Sequence, residues 1–200
     1  TVRIPPVRVA ERAAKSSLQP VPARHFEIVY EDDALLVVNK PSGVAVHGGS
    51  GVSFGVIEQL RRARPETKYL ELVHRLDKDT SGIMLFAKHG YAHARLDKQL
   101  QAKTIQKRYF ALVKGTGELA SKGDIIAPIA RDEESIITRK VAKGGKYAHT
   151  SYQVVQSFGD IHLVDIQLHT GRTHQIRVHF SHIGFPLLGD DLYGGSLEDG

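Results

Sequence analysis

Apolar residues fall in short runs of strand length over much of the chain, and turn-forming residues separate these runs. In the clearest run, at 107–113, a period of two places Tyr109, Ala111 and Val113 on one face, and both faces have apolar members, which predicts a strand. The other predicted strands lie at 26–30, 34–38, 82–87, 124–129, 148–158 and 161–168, and Gly159 and Asp160 join the last two as a hairpin.

Helical spacing predicts three helices between these strands. The first begins near Ser53 and the second covers 91–100. The third begins at Thr173 as N-cap and ends at Gly184 and Pro186. Its apolar residues recur at i, i+4 and i+7, namely Ile176, Phe180 and Ile183. Because strands outnumber helices and adjoin one another, we predict an α+β fold with a mixed, largely antiparallel sheet and flanking helices.

The first 24 residues differ in composition from the rest. Prolines interrupt any regular period there, and five basic residues against one acidic residue give this segment a net charge of +4. We predict a basic, proline-containing linker or arm at 1–24 and one folded domain at 25–200.

Basic charge recurs in one internal stretch. The whole chain carries a formal charge of +5, but the stretch at 135–159 has four basic residues and no acidic residue. The pattern fits a solvated surface loop and also fits a patch that contacts a polyanion such as RNA. These basic residues are Arg139, Lys140, Lys143 and Lys146.

Composition excludes several kinds of protein. The chain has no cysteine, which excludes thiolate nucleophiles, cysteine zinc sites and disulfides. No apolar run approaches the roughly 20 residues of a membrane helix, and the first residues lack the apolar centre of a signal peptide. We expect a cytoplasmic protein without a membrane segment. The histidines at 89, 93, 174, 179 and 182 lack zincin spacing, so we expect no metal site.

The densest group of reactive side chains lies at 74–82, directly before an apolar strand. A loop in this place can hold the carboxylate of Asp77 at the rim of a cleft. Alternatively, it is a charged turn in which Thr80 and Ser81 bond the backbone. Asp77 and Asp79 could also be the two catalytic carboxylates of a glycosidase, since residues two apart on an extended chain share a face.

Three motifs resemble one enzyme family. The segments HRLDKDTSGIMLFAK (74–88), KRYFALVKG (107–115) and LHTGRTHQIRVHF (168–180) are similar to motifs of the RluA family of pseudouridine synthases, in the same order. NKPSGVAVH (39–47) and PLLGDDLYG (186–194) extend the resemblance over about 25–195. It implies the pseudouridine synthase fold, with 25–200 as the catalytic domain of an isomerase.

The resemblance also implies roles for individual residues. Asp77 would be the catalytic aspartate, Tyr109 the tyrosine beside the target base, and Arg177 the arginine that pairs with the aspartate. A neighbouring guanidinium favours the charged form of a carboxylate. Arg172 is the second candidate for this partner, or a phosphate contact. We assign substrate binding to Arg75, Arg172, His74 and Lys107.

The implied substrate is uridine in large-subunit ribosomal RNA, flipped out of its stack and isomerised without a cofactor. The alternatives are an RNA-binding module without catalysis and an RNA or nucleoside glycosidase. We expect a monomer, with an S4-like RNA-binding domain before the basic arm in the complete protein. The residues do not show which uridines are modified, or whether Asp77 attacks C1′ or assists loss of a C2′ proton.

Overall fold

The computed structural model describes residues 20–49 and 54–195. Most of the predicted basic arm at 1–24 and the predicted helix start at Ser53 lie outside the described residues. The chain divides into two compact units, with the boundary between Asp97 and Lys98. The extent of the catalytic domain, 25–200, stays a prediction.

The first unit is built on a four-stranded sheet in the order β1-β2-β4-β3. Every neighbouring pair of strands in it is antiparallel. A short helix α1 lies between β2 and β3 in sequence, and α2 follows β4. The elements are β1 Glu27–Glu31, β2 Leu35–Lys40, α1 Val56–Ala63, β3 Glu71–Leu72, β4 Gly82–Ala87 and α2 Gly90–Gln101.

Strand β2 supplies the centre of this unit's core. Alternate residues along it are buried, beginning with Leu36 and Val38. They pack with Leu60 from α1 and with Met84 and Phe86 from β4, all of them inaccessible to solvent. Each such side chain contributes about 1.5–3 kcal/mol through burial. The next residue in the same phase is Lys40, which is also fully buried.

The second unit contains another four-stranded antiparallel sheet, in the order β5-β10-β9-β6, and a separate pair of strands, β7 and β8. With the first unit it confirms the predicted α+β class. The elements are β5 Lys107–Lys114, β6 Lys122–Ile126, β7 Ile129–Arg131, β8 Arg139–Val141, β9 His149–Phe158, β10 Ile161–Leu168, α3 Gln175–His182 and a 3-10 turn at Asp191–Tyr193.

One face of this sheet forms the core of the second unit. Val113 from β5, Val164 and Ile166 from β10 and Phe180 from α3 are fully buried there. Tyr109 packs at the edge of this cluster, half-buried. The opposite face is exposed and carries Arg108, Phe110 and Leu112 from β5, so the predicted alternation of that strand is confirmed.

Two details of the prediction are wrong. The strand predicted at 124–129 ends at Ile126, and β7 begins at Ile129, because Pro128 between them has no N–H for a ladder. Thr173 does not cap α3. The N-cap is His174, whose φ of 56° turns the chain directly before the helix.

Buried polar side chains join α3 to the sheet. His179 is fully buried, and its Nε2 donates to the carbonyl of Ala127 at 2.9 Å while its Nδ1 lies 2.8 Å from Thr150 Oγ1. Thr150 Oγ1 also accepts from Nε2 of Gln175 at 2.9 Å. The Gln175 Oε1 accepts from the hydroxyl of Thr170. Burial lowers the pKa of His179, and its bond to Ala127 opposes this effect.

We predict that the second unit loses stability in acid because of His179. Its pKa in the folded state lies below the ordinary value of 6.5, so the unfolded state binds the proton first as the pH falls below that value. The stability contributed by the neutral ring is therefore complete above 6.5 and is lost as the pH falls through the folded pKa. Denaturant unfolding from about pH 7 to about pH 5 should show a shallower pH slope for His179→Gln than for the wild type.

The matched control for this measurement is His162→Gln, which removes a half-buried histidine from β10 of the same unit. An unchanged slope in His179→Gln would show that other groups govern the loss of stability in acid.

Candidate active site

The Asp77 carboxylate extends from the loop that joins β3 to β4. The preceding residue, Leu76, packs against the core of the first unit, and Asp77 itself is half-buried. Its carbonyl accepts the N–H of Thr80 at 3.1 Å, which closes a turn. The carboxylate therefore extends from a fixed backbone and is still accessible to solvent.

Lys40 ties this loop to the end of β2. Its ammonium donates to three carbonyl oxygens, those of Pro41 at 2.9 Å, Val44 at 2.7 Å and Lys78 at 2.8 Å. The Lys78 carbonyl also accepts the N–H of Gly43 at 2.9 Å. An ammonium has three N–H donors, so these carbonyls satisfy all of them. The residue after Asp77 is thus bound to a buried cation.

A second bond continues this connection, because Ser42 Oγ donates to the carbonyl of Asp79 at 2.9 Å. Burial lowers the pKa of Lys40, while the carboxylates of Asp79 and Asp77 oppose that effect. A buried ammonium without partners would cost several kcal/mol. The folded unit therefore gains from placing carbonyls and carboxylates around Lys40, and this requirement holds the loop in one place.

His74 and Arg75, both predicted to bind substrate, open the same loop. The Nε2 of His74 accepts the backbone N–H of Leu85 in β4 at 3.0 Å, which places the proton of the neutral ring on Nδ1. This bond holds the beginning of the loop against β4. The side chain of Arg75 is exposed.

Lys107 and Arg172, the other two predicted binding residues, line one cavity of about 520 Å³ in the second unit. Lys103 and His169 line it too. Burial, and secondarily the charge of Lys103, lowers the pKa of Lys107. Arg172 is positioned by its Nε, which donates to the carbonyl of Tyr147 at 2.8 Å. Three basic side chains around one cavity suit an anionic group such as a phosphate.

Arg177, on α3, makes a two-pronged ion pair. Its Nε lies 2.7 Å from Oδ2 of Asp190 and its Nη2 lies 2.9 Å from Oδ1. The guanidinium carbon also stands 4.8 Å from the ring centre of Tyr193. The Asp190 side chain is only 9% exposed and that of Arg177 is 25% exposed, so the carboxylate of this pair is shielded from water. Arg177 is therefore held rigidly. Its predicted pairing with Asp77, which belongs to the other unit, stays a prediction.

The four basic residues of the 135–159 stretch have different environments. Arg139 is half-buried, and its N–H donates to the hydroxyl of Tyr193 at 2.9 Å. Lys140 lies 3.9 Å from Asp132, a weak ion pair. Lys143 and Lys146 are exposed. The last two are the residues of this stretch best placed to contact a polyanion.

Some side chains that shape the site were missed by the sequence prediction. Lys40 could have been found from its position, since it follows Leu36 and Val38 in the alternation of buried residues along β2. Asp190 had no periodic signal, because it lies beyond the end of α3 and pairs with Arg177, 13 residues before it in the chain. No helix among the described residues has the length and apolar content to cross a bilayer.

Comparison with known proteins identifies the family. The profile of the RNA pseudouridylate synthases matches residues 34–182, three quarters of the chain. This chain belongs to the RNA pseudouridylate synthase family. The match includes the Asp77 loop, β5 and α3, and it confirms the resemblance seen in the motifs.

Curated relatives refine this assignment. The chain is 50% identical over 199 residues to ribosomal large subunit pseudouridine synthase C of Escherichia coli K12 and 49% identical over 198 residues to the protein of that name from Haemophilus influenzae. Each alignment covers 96% of this chain but only 62% and 61% of the relative. The chain thus spans about three fifths of the length of these relatives.

Two solved human structures share the fold. RNA pseudouridylate synthase domain containing 1 superposes with a TM-score of 0.73 at 30% identity, covering 88% of this chain and 73% of that one. Domain containing 4 gives a TM-score of 0.70 at 29% identity and covers 84% and 68%. The predicted pseudouridine synthase fold is confirmed.

We predict that Lys40→Met loosens the loop that carries Asp77. Methionine fills most of the volume but removes one donor from each of three carbonyls, at a cost of about 1–3 kcal/mol. Hydrogen exchange, followed by mass spectrometry, should become faster in peptides that contain 41–44 and 77–80. The control is Lys68→Met, which removes an exposed lysine from the same unit and should change stability by under about 0.5 kcal/mol. Equal protection in both variants would contradict the role given to Lys40.

Proposed function

We propose that this chain converts uridine to pseudouridine in large-subunit ribosomal RNA, with Asp77 as the catalytic carboxylate. The observation that carries this proposal is the loop of Asp77, an accessible carboxylate on a backbone held by the buried Lys40, in a member of the pseudouridylate synthase family. The names of the curated relatives support the choice of large-subunit ribosomal RNA.

The reaction needs a carboxylate and no redox group. The N1–C1′ bond breaks, the uracil turns, and a C5–C1′ bond forms, after which C5 loses its proton and N1 carries one. Substrate and product thus contain the same atoms. The ionised carboxylate of Asp77 either attacks C1′ or assists loss of a C2′ proton, and both routes free the base to turn.

Tyr109 and Arg177 complete the proposed catalytic residues. The ring of Tyr109 offers a flat surface for uracil, and its hydroxyl suits transfer of the C5 proton in the last step. Arg177 is the proposed ion-pair partner of Asp77. Its two bonds to Asp190 support this role, because they fix the orientation of the guanidinium.

RNA binding is assigned to four further residues, two from each unit. Lys107 and Arg172 share a cavity of about 520 Å³ and are proposed to hold a phosphate of the RNA backbone. His74 and Arg75, in the Asp77 loop, are proposed to contact the target nucleotide and the gap that it leaves. Flipping that nucleotide costs roughly a few kcal/mol of lost stacking, which such contacts must offset.

The decisive experiment compares Asp77→Asn with Asp79→Asn. Both variants remove one negative charge from the same loop, but only the first removes the proposed catalytic group. Incubation with ribosomal RNA, followed by pseudouridine mapping and by measurement of hydrogen released from uracil C5, should show a loss of at least about 1,000-fold for Asp77→Asn. Asp79→Asn should retain most of the activity.

Two results would overturn the proposal. Pseudouridine formation by Asp77→Asn at the wild-type rate would exclude the catalytic role. RNA binding by the wild type without any pseudouridine in the bound RNA would favour a binding module, and release of free uracil would favour a glycosidase.

Selection of the target is proposed to need more than this chain. We infer an S4-like RNA-binding domain in front of the basic arm of the complete protein, and a cytoplasmic monomer. Fusing such a domain to residue 1 should increase affinity for ribosomal RNA and concentrate modification at fewer uridines, most clearly at high salt, where phosphate contacts weaken. Equal selectivity with and without the added domain would contradict this inference.

A further inference from the structure

Three side chains with metal-ligand chemistry meet at one end of the sheet of the second unit. They are Asp124 from β6, His149 at the start of β9 and His169 directly after β10. One potential ligand atom from each lies within 4.8 Å of those of the other two. Among residues 20–49 and 54–195 this is the one group of three or more such side chains. We propose that it binds a zinc ion, or another divalent transition metal of similar preference.

Strand register brings these ligands together. Asp124 lies opposite Ser151 across the β6–β9 pair, and His149 precedes Ser151 by two residues, so all three point to the exposed face. The N–H of His169 donates to the carbonyl of His149 at 3.1 Å. The N–H of His149 donates to the hydroxyl of Thr170 at 3.0 Å. The backbones of all three ligands are thus fixed before any ion binds.

The side chains converge on one point. The Nε2 of His149 lies 2.7 Å from Oδ1 of Asp124. The hydroxyl of Ser151 lies 2.6 Å from the same oxygen and 2.7 Å from Nε2 of His169. The two imidazole rings are stacked, with centroids 4.1 Å apart. An ion bonded to three ligands at about 2.0–2.2 Å requires shifts of the order of 1 Å, which rotation of these side chains can provide.

The ligand set selects the kind of ion. Two imidazoles and one carboxylate suit Zn²⁺ and neighbouring transition metals, whereas Mg²⁺ prefers oxygen ligands and keeps its water. Hydrogen bonds from Ser151 and His149 lower the pKa of Asp124, and burial lowers the pKa of His169. Three protein ligands leave a fourth position for Ser151, water or an anionic oxygen.

Binding would also affect the neighbouring cavity. His169 lines the cavity of Lys107 and Arg172, and an ion would connect it to β6 and β9. The segment 169–172 would then be held more firmly, and the unit would be stabilised by mass action. This inference is independent of the proposed catalytic function.

The test uses the untagged chain, freed of metal by a chelator and titrated with Zn²⁺, with Co²⁺ as a coloured probe. We expect one ion per chain, a rise in melting temperature with added Zn²⁺, and no rise with Mg²⁺. His149→Asn and His169→Asn should each weaken binding by about tenfold or more. The matched control is His162→Asn, since His162 Nδ1 also lies 2.7 Å from a serine hydroxyl, that of Ser157, on the same two strands. It should bind like the wild type.

Absence of saturable binding, or equal binding by all three variants, would overturn the proposal and leave these side chains as a hydrogen-bonded surface network. Circular dichroism without metal checks that each variant is folded. Should a variant fail to fold, the histidine NMR spectrum of the wild type with added zinc tests the site without any variant. Zinc must then shift the ring signals of His149 and His169 at one equivalent and leave His162 in place, and shifts confined to other histidines would refute the site.

Discussion

A buried ammonium group is the constraint on which the candidate active site depends. Lys40 occupies a core position of β2, where a charge is tolerated only if its three donors find acceptors. The acceptors are carbonyls of 41–44 and of Lys78, so the unit cannot bury this lysine without bringing both segments together. Because leaving the buried charge without acceptors is unfavourable, the bonds to Lys40 fix the loop of Asp77.

In the second unit, hydrogen-bonded side chains hold the LHTGRTHQIRVHF motif in a similar way. Gln175 and His179 are buried and bonded to Thr150 and to backbone carbonyls, so they serve the packing of α3 on the sheet. Arg172 and Arg177 from the same motif remain partly accessible, each oriented by an oxygen acceptor. One segment thus contains residues that hold it in place and residues whose side chains stay partly exposed.

The two faces of the four-stranded sheet in the second unit differ in their burial. The inner face is apolar and packs on α3, whereas the outer face is exposed, mixes apolar side chains such as Phe110 with polar ones, and holds Asp124, His149 and Ser151 in register. Side chains on an exposed face need no partner to fold the sheet, since water can solvate them. The packing of the sheet therefore does not require these side chains to lie close together, and a bound cation would account for their arrangement.

The sequence by itself determined most strands, the three helices and the α+β class, because these depend on local periodicity and on turn residues. It also determined the family, since the motifs around Asp77, Tyr109 and Arg177 are continuous segments of sequence. Only the tertiary structure decided which partners these residues have. Lys40 with Lys78, Arg177 with Asp190, and Asp124 with His149 are separated by 38, 13 and 25 residues. Contacts at such separations follow from strand register and loop packing, which leave no periodic signal in the chain.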